Sequence, residues 1–528
     1  MPKVKLTILL IKSEITDFNQ LIRSGDDIHS QQIGSGVLYY KLSQPHSPKW
    51  VDTFFDNSLN EDVFLQVSSV NALYLIRRRF ENGDRIFAIS FGFGRFLLNP
   101  DVLDIRFGLI TTLNSIKDSQ IRSVDLNTLE SIPRVERVQT SKLSEVRDFG
   151  IDEEHDLLRS ITGKTKDNLV NHLGNSITGS ESLRISVDAT FETVGDVLDI
   201  CYRQYLRNDY LEKFDWINNL HIVKDNNLIH DLNERIVRDL NFGERDTLWM
   251  SIPDVLDYSQ LCAFRIAEGH DVQDDINIDD VIQEVYEGRT DLTLRDLTSR
   301  KVYAVNGDNA YIGSWSYYKC IYGEVTVEAG RKFILNEGQW YEVDCDYLQE
   351  VEDYYANAML STLDMPNSLN GEHEGDYNQR LANLSSNYIL MDKKLIPTGV
   401  SRNNIEVCDV YTVDKNLIHV KNGHGSSSVL SHLFNQGYVA AILLAQRDFR
   451  LAFNHVLNQH YSDKPNIASF SLPTDEGYNP SDFTITYAII TKKTGDRPSI
   501  PFFSKITFRN IAKTLTNMGY NVLLKNIE

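Results

Sequence analysis

The chain has 528 residues, 41% of them hydrophobic and 24% charged, with a formal net charge of −21. That length allows two to four domains with real cores. The acidic balance excludes a surface coated in basic charge for nucleic acid, but not a local basic cleft. Five cysteines with no CxxC pair point to a reducing, cytoplasmic setting rather than a disulfide framework.

The start, "MPKVKLTILLIKSEITD", has a short apolar run ended by Lys12 and no small-residue cleavage site. It predicts a strand, Val4 to Ile11, rather than a signal peptide. A helix is expected over Thr16–Ile22, then strands at Val63–Val67, Ala72–Arg77 and Arg85–Phe91. "SITGKTKDNLVNHLGNSITGSES", Ser160 to Ser182, is polar and Gly-rich and reads as a surface loop closing a first region, 1–180.

The second region, 181–365, opens with the strand "LRISVDATF" and a helix over Val194–Leu206. From Lys301 it carries short alternating runs between Gly and Asn turns, an antiparallel meander. "DYLQEVEDYYANAML" is a helix leading out, and "DMPNSLNGEHEG" reads as a linker. The third region, 366–528, runs helix "EGDYNQRLANL", strand "YILMDKKLI", strand "IEVCDVYTV" and strand "NLIHVK". One or two helices over 426–457 follow, then strand "FTITYAIIT", a helix closed by Gly519 and a last strand "YNVLLKNI". No run approaches a membrane span. The expected class is multidomain α+β, β-rich in its N-terminal and central regions, with an α/β core at the C-terminus.

Within that core Glu374, or Glu372, begins the first helix. Asp409 stands on the second strand, His419-Val420-Lys421 ends the third, and Gln436 falls on the next helix. This order resembles the restriction-endonuclease-like fold, the PD-(D/E)XK superfamily, over roughly the last 155 residues. The resemblance implies phosphodiester hydrolysis with a divalent metal, Mg2+ or Mn2+, held by Asp409 and Glu374, with Lys421 positioning the attacking water. The carboxylate that the pattern wants at position 419 is histidine, which suits Mn2+, Zn2+ or Fe2+ better than Mg2+. Glu406, three residues before Asp409, would face away from it on a regular strand and join it only through a bulge.

"RIFAISFGFGRFLL", "RFGLITTLN", "IEVCDV", "LIHVK", "LSHLFNQG" and "PFFSKI" together resemble a sporadically distributed bacterial family of unknown function, across nearly the whole chain. Such patchy distribution goes with antiviral defence, so the leading expectation is a phage-defence protein acting on nucleic acid, DNA first. The rivals are an inactive nucleic-acid sensor and a protein-interaction scaffold, with a protein partner or a homo-oligomer as further expectations.

Two further segments bear on partners. Arg77, Arg78, Arg79 and Arg95, beside Phe91 and Phe93, form the best basic and aromatic patch, and Arg134, Arg137 and Lys142 extend it. "FGFGR" could let backbone amides approach a phosphate, but it lacks a full GxGxxG and the Walker lysine, and a tight turn is the better reading. His419, His424 and His432 match no zinc spacing, Cys408 needs no catalytic role, and the aromatic strands "GSWSYYK" and "GQWYEV" read as packing.

Overall fold

The computed structural model describes residues 3–528 apart from 25–26, 49–50, 52–53, 55–66, 100–101, 129–134, 152–155, 244, 246, 254–260, 287–290, 308–309, 398–403, 424–426, 475–476 and 492. The chain divides into two compact units. One spans 1–127 and 135–217, the other 128–134 and 218–528. No described helix is long and apolar enough to cross a membrane.

The first unit is built on a ten-stranded sheet. Its central strand Val4–Leu10 pairs antiparallel with Gly83–Phe91 on one side and Leu183–Val187 on the other. The strand expected to open the second region therefore belongs to the first unit. The expected helix over 16–22 is a single 3-10 turn, Phe18–Gln20. Val67 bridges to His46, while the rest of the expected strand 63–67 lies outside the described residues.

The Gly-rich stretch 160–182 is not a loop. It continues the sheet through Asp156–Thr165 and Ser176–Gly179. Two of its glycines, Gly163 and Gly179, serve close packing against the helix Phe107–Ser115 and the residue that follows it. A Cβ at Gly179 would stand 2.1 Å from the Gly108 carbonyl oxygen, and one at Gly163 about 3.1 Å from Ile116. Gly here shortens the helix–sheet distance rather than breaking a strand.

The second unit holds a five-stranded sheet containing Ile321–Thr326, Lys332–Asn336 and Gln339–Val343, and a four-stranded one containing Lys301–Val305 and Tyr311–Ser316. The expected meander is thus shared between two sheets. The helix Cys345–Asn357 follows.

Its last sheet is mixed. Tyr388–Leu390, Val410–Thr412 and Asn416–Asn422 run antiparallel in that order. Thr484–Ile490 and Asn521–Ile527 then add in parallel. Parallel neighbours need crossovers. These are the helices Ser427–Leu444 with Arg447–Tyr461, and Phe502–Asn517. Period-2 alternation splits the faces. Ile418, Val420, Ala488 and Ile490 pack under Tyr377 and Leu381 of the helix Glu374–Ala382. Leu417, Tyr487 and Ile489 pack under Phe434 and Phe508 of the crossover helices.

Candidate functional site

The chain leaves the short strand Asn404–Glu406, runs outside any ladder over 407–409, and re-enters the sheet at Val410. Asp409 is therefore at a bend before the strand, not within it. The interruption does what a bulge would do and turns Glu406 to the same side. Asp392, in the turn after Tyr388–Leu390, completes a cluster. One carboxylate oxygen from each of Asp392, Glu406 and Asp409 lies within 4.8 Å of the others. The backbone holds this turn in place, since Met391 N and Asp392 N both donate to the Asp409 carbonyl, at 2.7 and 3.0 Å.

Asp409 is only 9% exposed. Its Oδ2 accepts the Val420 amide at 2.7 Å and its Oδ1 accepts Asn378 Nδ2 at 3.1 Å. Burial pushes its carboxyl well above the ordinary carboxylate range, against the lowering pull of the Val420 amide. The charges of Glu406, Glu374 and Asp392 push it further. Glu406 is raised as well, by burial first and then by Asp392.

Glu374 opens its helix and meets the end of the central strand. Its Oε1 accepts Lys421 Nζ at 2.9 Å and its Oε2 accepts the Asn422 amide at 3.3 Å. Of the two acids considered for this role, Glu372 is engaged elsewhere, in a two-point ion pair with Arg380 at 2.8 and 2.6 Å. Glu374 meets Lys421 directly, and Asp409 reaches the same strand end through the Val420 amide.

His419 does not join them. It is 2% exposed, its ring lies 5.8 Å from that of Tyr487 beneath the helix Ser427–Leu444, and its Nε2 has no partner. Burial alone lowers its pKa to about 3, so it is a neutral core imidazole and not a ligand at this corner. Gln436 is half-buried on the same helix, and no hydrogen bond among the described residues links it to the acids. The sequence reading missed Asp392 and Asn378. The signal available for Asp392 was an acid directly after an apolar strand; for Asn378 there was none beyond helix periodicity.

The basic patch does not form as expected. On the strand Val70–Phe80, Arg77 and Arg79 point to one sheet face and Arg78 to the other. Arg77 donates to the Thr16 carbonyl and lies over Phe18, and Arg79 is exposed. Arg78 is held two-point by Asp199 at 2.9 and 2.6 Å, Arg95 pairs with Glu181, and Arg137 grips Asp125 at 2.7 Å through both nitrogens. These paired guanidiniums carry little net positive field. Arg134 lies outside the described residues. "FGFGR" is a tight turn: Gly92 has φ +58°, and a Cβ at Gly94 would stand 1.8 Å from the Ala72 carbonyl oxygen.

A mixed α+β chain with an acidic, lysine-bearing corner is the class that fold and site define. A family model described as a family of unknown function, DUF6119, matches residues 6–528, and the chain belongs to that family. Nothing among curated proteins or solved structures matches it.

Proposed function

We propose that the corner formed by Asp392, Glu406, Asp409, Glu374 and Lys421 hydrolyses phosphodiester bonds in nucleic acid with a divalent cation. The observation that carries this reading is an all-oxygen donor set beside a lysine, at the hairpin end of a mixed sheet. Hairpin, parallel crossover and leading helix come in the order of a restriction-endonuclease-like core, which supports the same reading. The donor set fits a hard cation, Mg2+ or Mn2+: three carboxylate oxygens within 4.8 Å, with Asp409 and Glu406 raised by burial first and by the neighbouring acids after it. Asp392, Glu406 and Asp409 would hold it, and Glu406 and Asp392 take the place that the superfamily pattern gives to residue 419. When bound, such a cation polarises a phosphoryl oxygen and acidifies water.

The chain's own groups have defined tasks. The Val420 amide and Asn378 fix both oxygens of Asp409, and Glu374 holds the Lys421 ammonium where it can stabilise developing phosphoryl charge. A second reading, an inert nucleic-acid-binding module, is favoured by that same ion pair, because the ammonium is engaged by Glu374. The setting we propose is phage defence, on the association with patchy bacterial distribution alone.

The test is calorimetric titration of the full chain with MgCl2 and MnCl2, alongside cleavage of DNA and RNA. Lys421→Ala should keep metal binding and lose cleavage by about 100-fold or more. Asp409→Asn should lose both. Metal binding without cleavage in the wild type selects the inert module, and full phage protection by a folded Lys421→Ala protein removes the catalytic role.

A further inference from the structure

The carboxyl ends of the parallel strands Asn416–Asn422 and Thr484–Ile490 meet the central five-stranded sheet in a cleft of about 290 Å3. Gly423 and Thr491, the residues just past those strands, line one side of it. Carboxyl ends of parallel strands are where open α/β sheets place ligands. Arg235 from the helix Asn226–Phe242, Lys332 and Lys493 supply the lining's cations.

Two acids also line it, and both are occupied. Glu324 is 4% exposed, both its oxygens accept the Phe502 amide at 2.8 and 2.9 Å, and Lys332 Nζ stands 3.7 Å away. Asp239 sits 3.4 Å from Arg238. Arg235 and Lys493 have no ion-pair partner among the described residues. In a chain of net charge −21, unpaired cations in a cleft attract anions selectively. A neighbouring, larger cavity of about 710 Å3, which shares Lys332, lacks this property, because its Arg331 and His221 are taken by Glu342 and Asp344 and Lys332 stands beside Glu324.

We infer that this cleft binds the phosphodiester backbone of a single nucleic-acid strand beside the position where the acidic corner acts. The inference rests on the hydrolytic reading above and narrows its substrate to a polynucleotide. The link is the chain itself. Lys421 and Asn422 touch Glu374 in the corner, and Gly423 lines the cleft. Extended residues advance about 3.3 Å each, so Gly423 in the cleft lies about 7 Å along the chain from Lys421 in the corner. A ligand that fills both is extended and carries more than one phosphate. The cleft is small, which suits one sugar–phosphate stretch and excludes a duplex. Arg235 offers a planar fork suited to a phosphate, and Lys493 a point charge.

The test uses the full chain carrying Arg235→Glu with Lys493→Glu, and a milder pair, Arg235→Gln with Lys493→Gln, should the reversal not fold. Binding is read by fluorescence anisotropy with labelled single-stranded DNA and RNA oligonucleotides in EDTA. Hydrolysis of bis(p-nitrophenyl) phosphate is read in MnCl2. Oligonucleotide affinity should fall about tenfold or more, with the salt slope reduced by about 1.4 for two lost single-strand contacts. Small-diester hydrolysis should stay at the wild-type level, since that substrate does not reach the cleft. The DNA and RNA arms identify which backbone is held. Unchanged oligonucleotide affinity, no wild-type binding, or equal loss of small-diester hydrolysis overturns the cleft. Weakened oligonucleotide binding in a protein that never hydrolyses either substrate keeps the cleft and defeats the catalytic reading.

Discussion

At position 419 one side chain separates two accounts of the site. Had it been a ligand, a carboxylate there would restore the superfamily pattern and favour Mg2+. Enclosed against Tyr487, His419→Glu instead buries an unpaired charge. The variant should lose about 3 kcal/mol of stability in urea unfolding. A variant as stable as the wild type, with tighter Mg2+ binding, would return residue 419 to the corner. The same burial sets a pH dependence. The folded imidazole has a pKa of about 3 against 6.5 when unfolded, so the unfolded chain binds the extra proton between those values. His419 therefore favours the fold above pH 6.5, and stability falls as pH drops from 6.5 toward 3, by at most about 1.4 kcal/mol per unit. Asp409 and Glu406 behave in the opposite sense, since their folded pKa values are raised and they hold protons that the unfolded chain has released. A cation must displace those protons. Calorimetry in two buffers of different ionisation enthalpy should show proton release on metal binding, and affinity that weakens as pH falls. Metal binding with no proton release would place the cation elsewhere.

The helix Ser427–Leu444 comes close to its sheet at one point. A Cβ at Gly437 would stand 2.3 Å from the Tyr487 hydroxyl, which is itself buried and donates to the Phe434 carbonyl at 2.9 Å. Gly437→Val has no space to relax into and should lower stability by about 2 kcal/mol, read as a fall in melting temperature; an unchanged melt would show that helix and sheet stand further apart. Much at this scale was legible beforehand. The helices Glu374–Ala382, Val194–Tyr205 and Cys345–Asn357 follow from apolar spacing, and Leu417-Ile418-His419-Val420 is buried because a strand with parallel pairing is covered on both faces. Asp409 and Lys421 stand out only through the resemblance to the restriction-endonuclease-like pattern, and the structure places both at the end of the central strand. Period-2 alternation leaves Glu406 facing away from Asp409 unless the strand bulges, and the break at 407–409 that brings it round carries no Gly or Pro to announce it. The stretch 160–182 failed for the converse reason: Gly and Ser that look like loop punctuation are the small residues a helix needs to sit close on a strand.

On the scale of the whole chain, the sequence hides which strands meet. Leu183–Val187 pairs with Val4–Leu10 across most of the first unit, and no local pattern encodes that distance, so an expected boundary near 180 falls where the compact unit runs on to Ile217. Charge is the global quantity that the sequence does give, and it constrains how any nucleic acid can bind. With −21 overall, and with Arg78, Arg95 and Arg137 already paired to acids, there is no broad positive face among the described residues of the first unit's patch. A strand held mainly by Arg235 and Lys493, with Lys332 partly engaged by Glu324, releases few counterions. Log affinity against log salt for a single-stranded oligonucleotide should therefore have a shallow slope of about −2, at roughly 0.7 per phosphate contact, between about 50 and 200 mM salt. The distant carboxylates add a weak repulsion that salt screens, which flattens the slope further. The reading is anisotropy on the full chain across that range. A slope of about −6 or steeper would require an extended basic track, and would show that the strand runs over a surface other than the cleft.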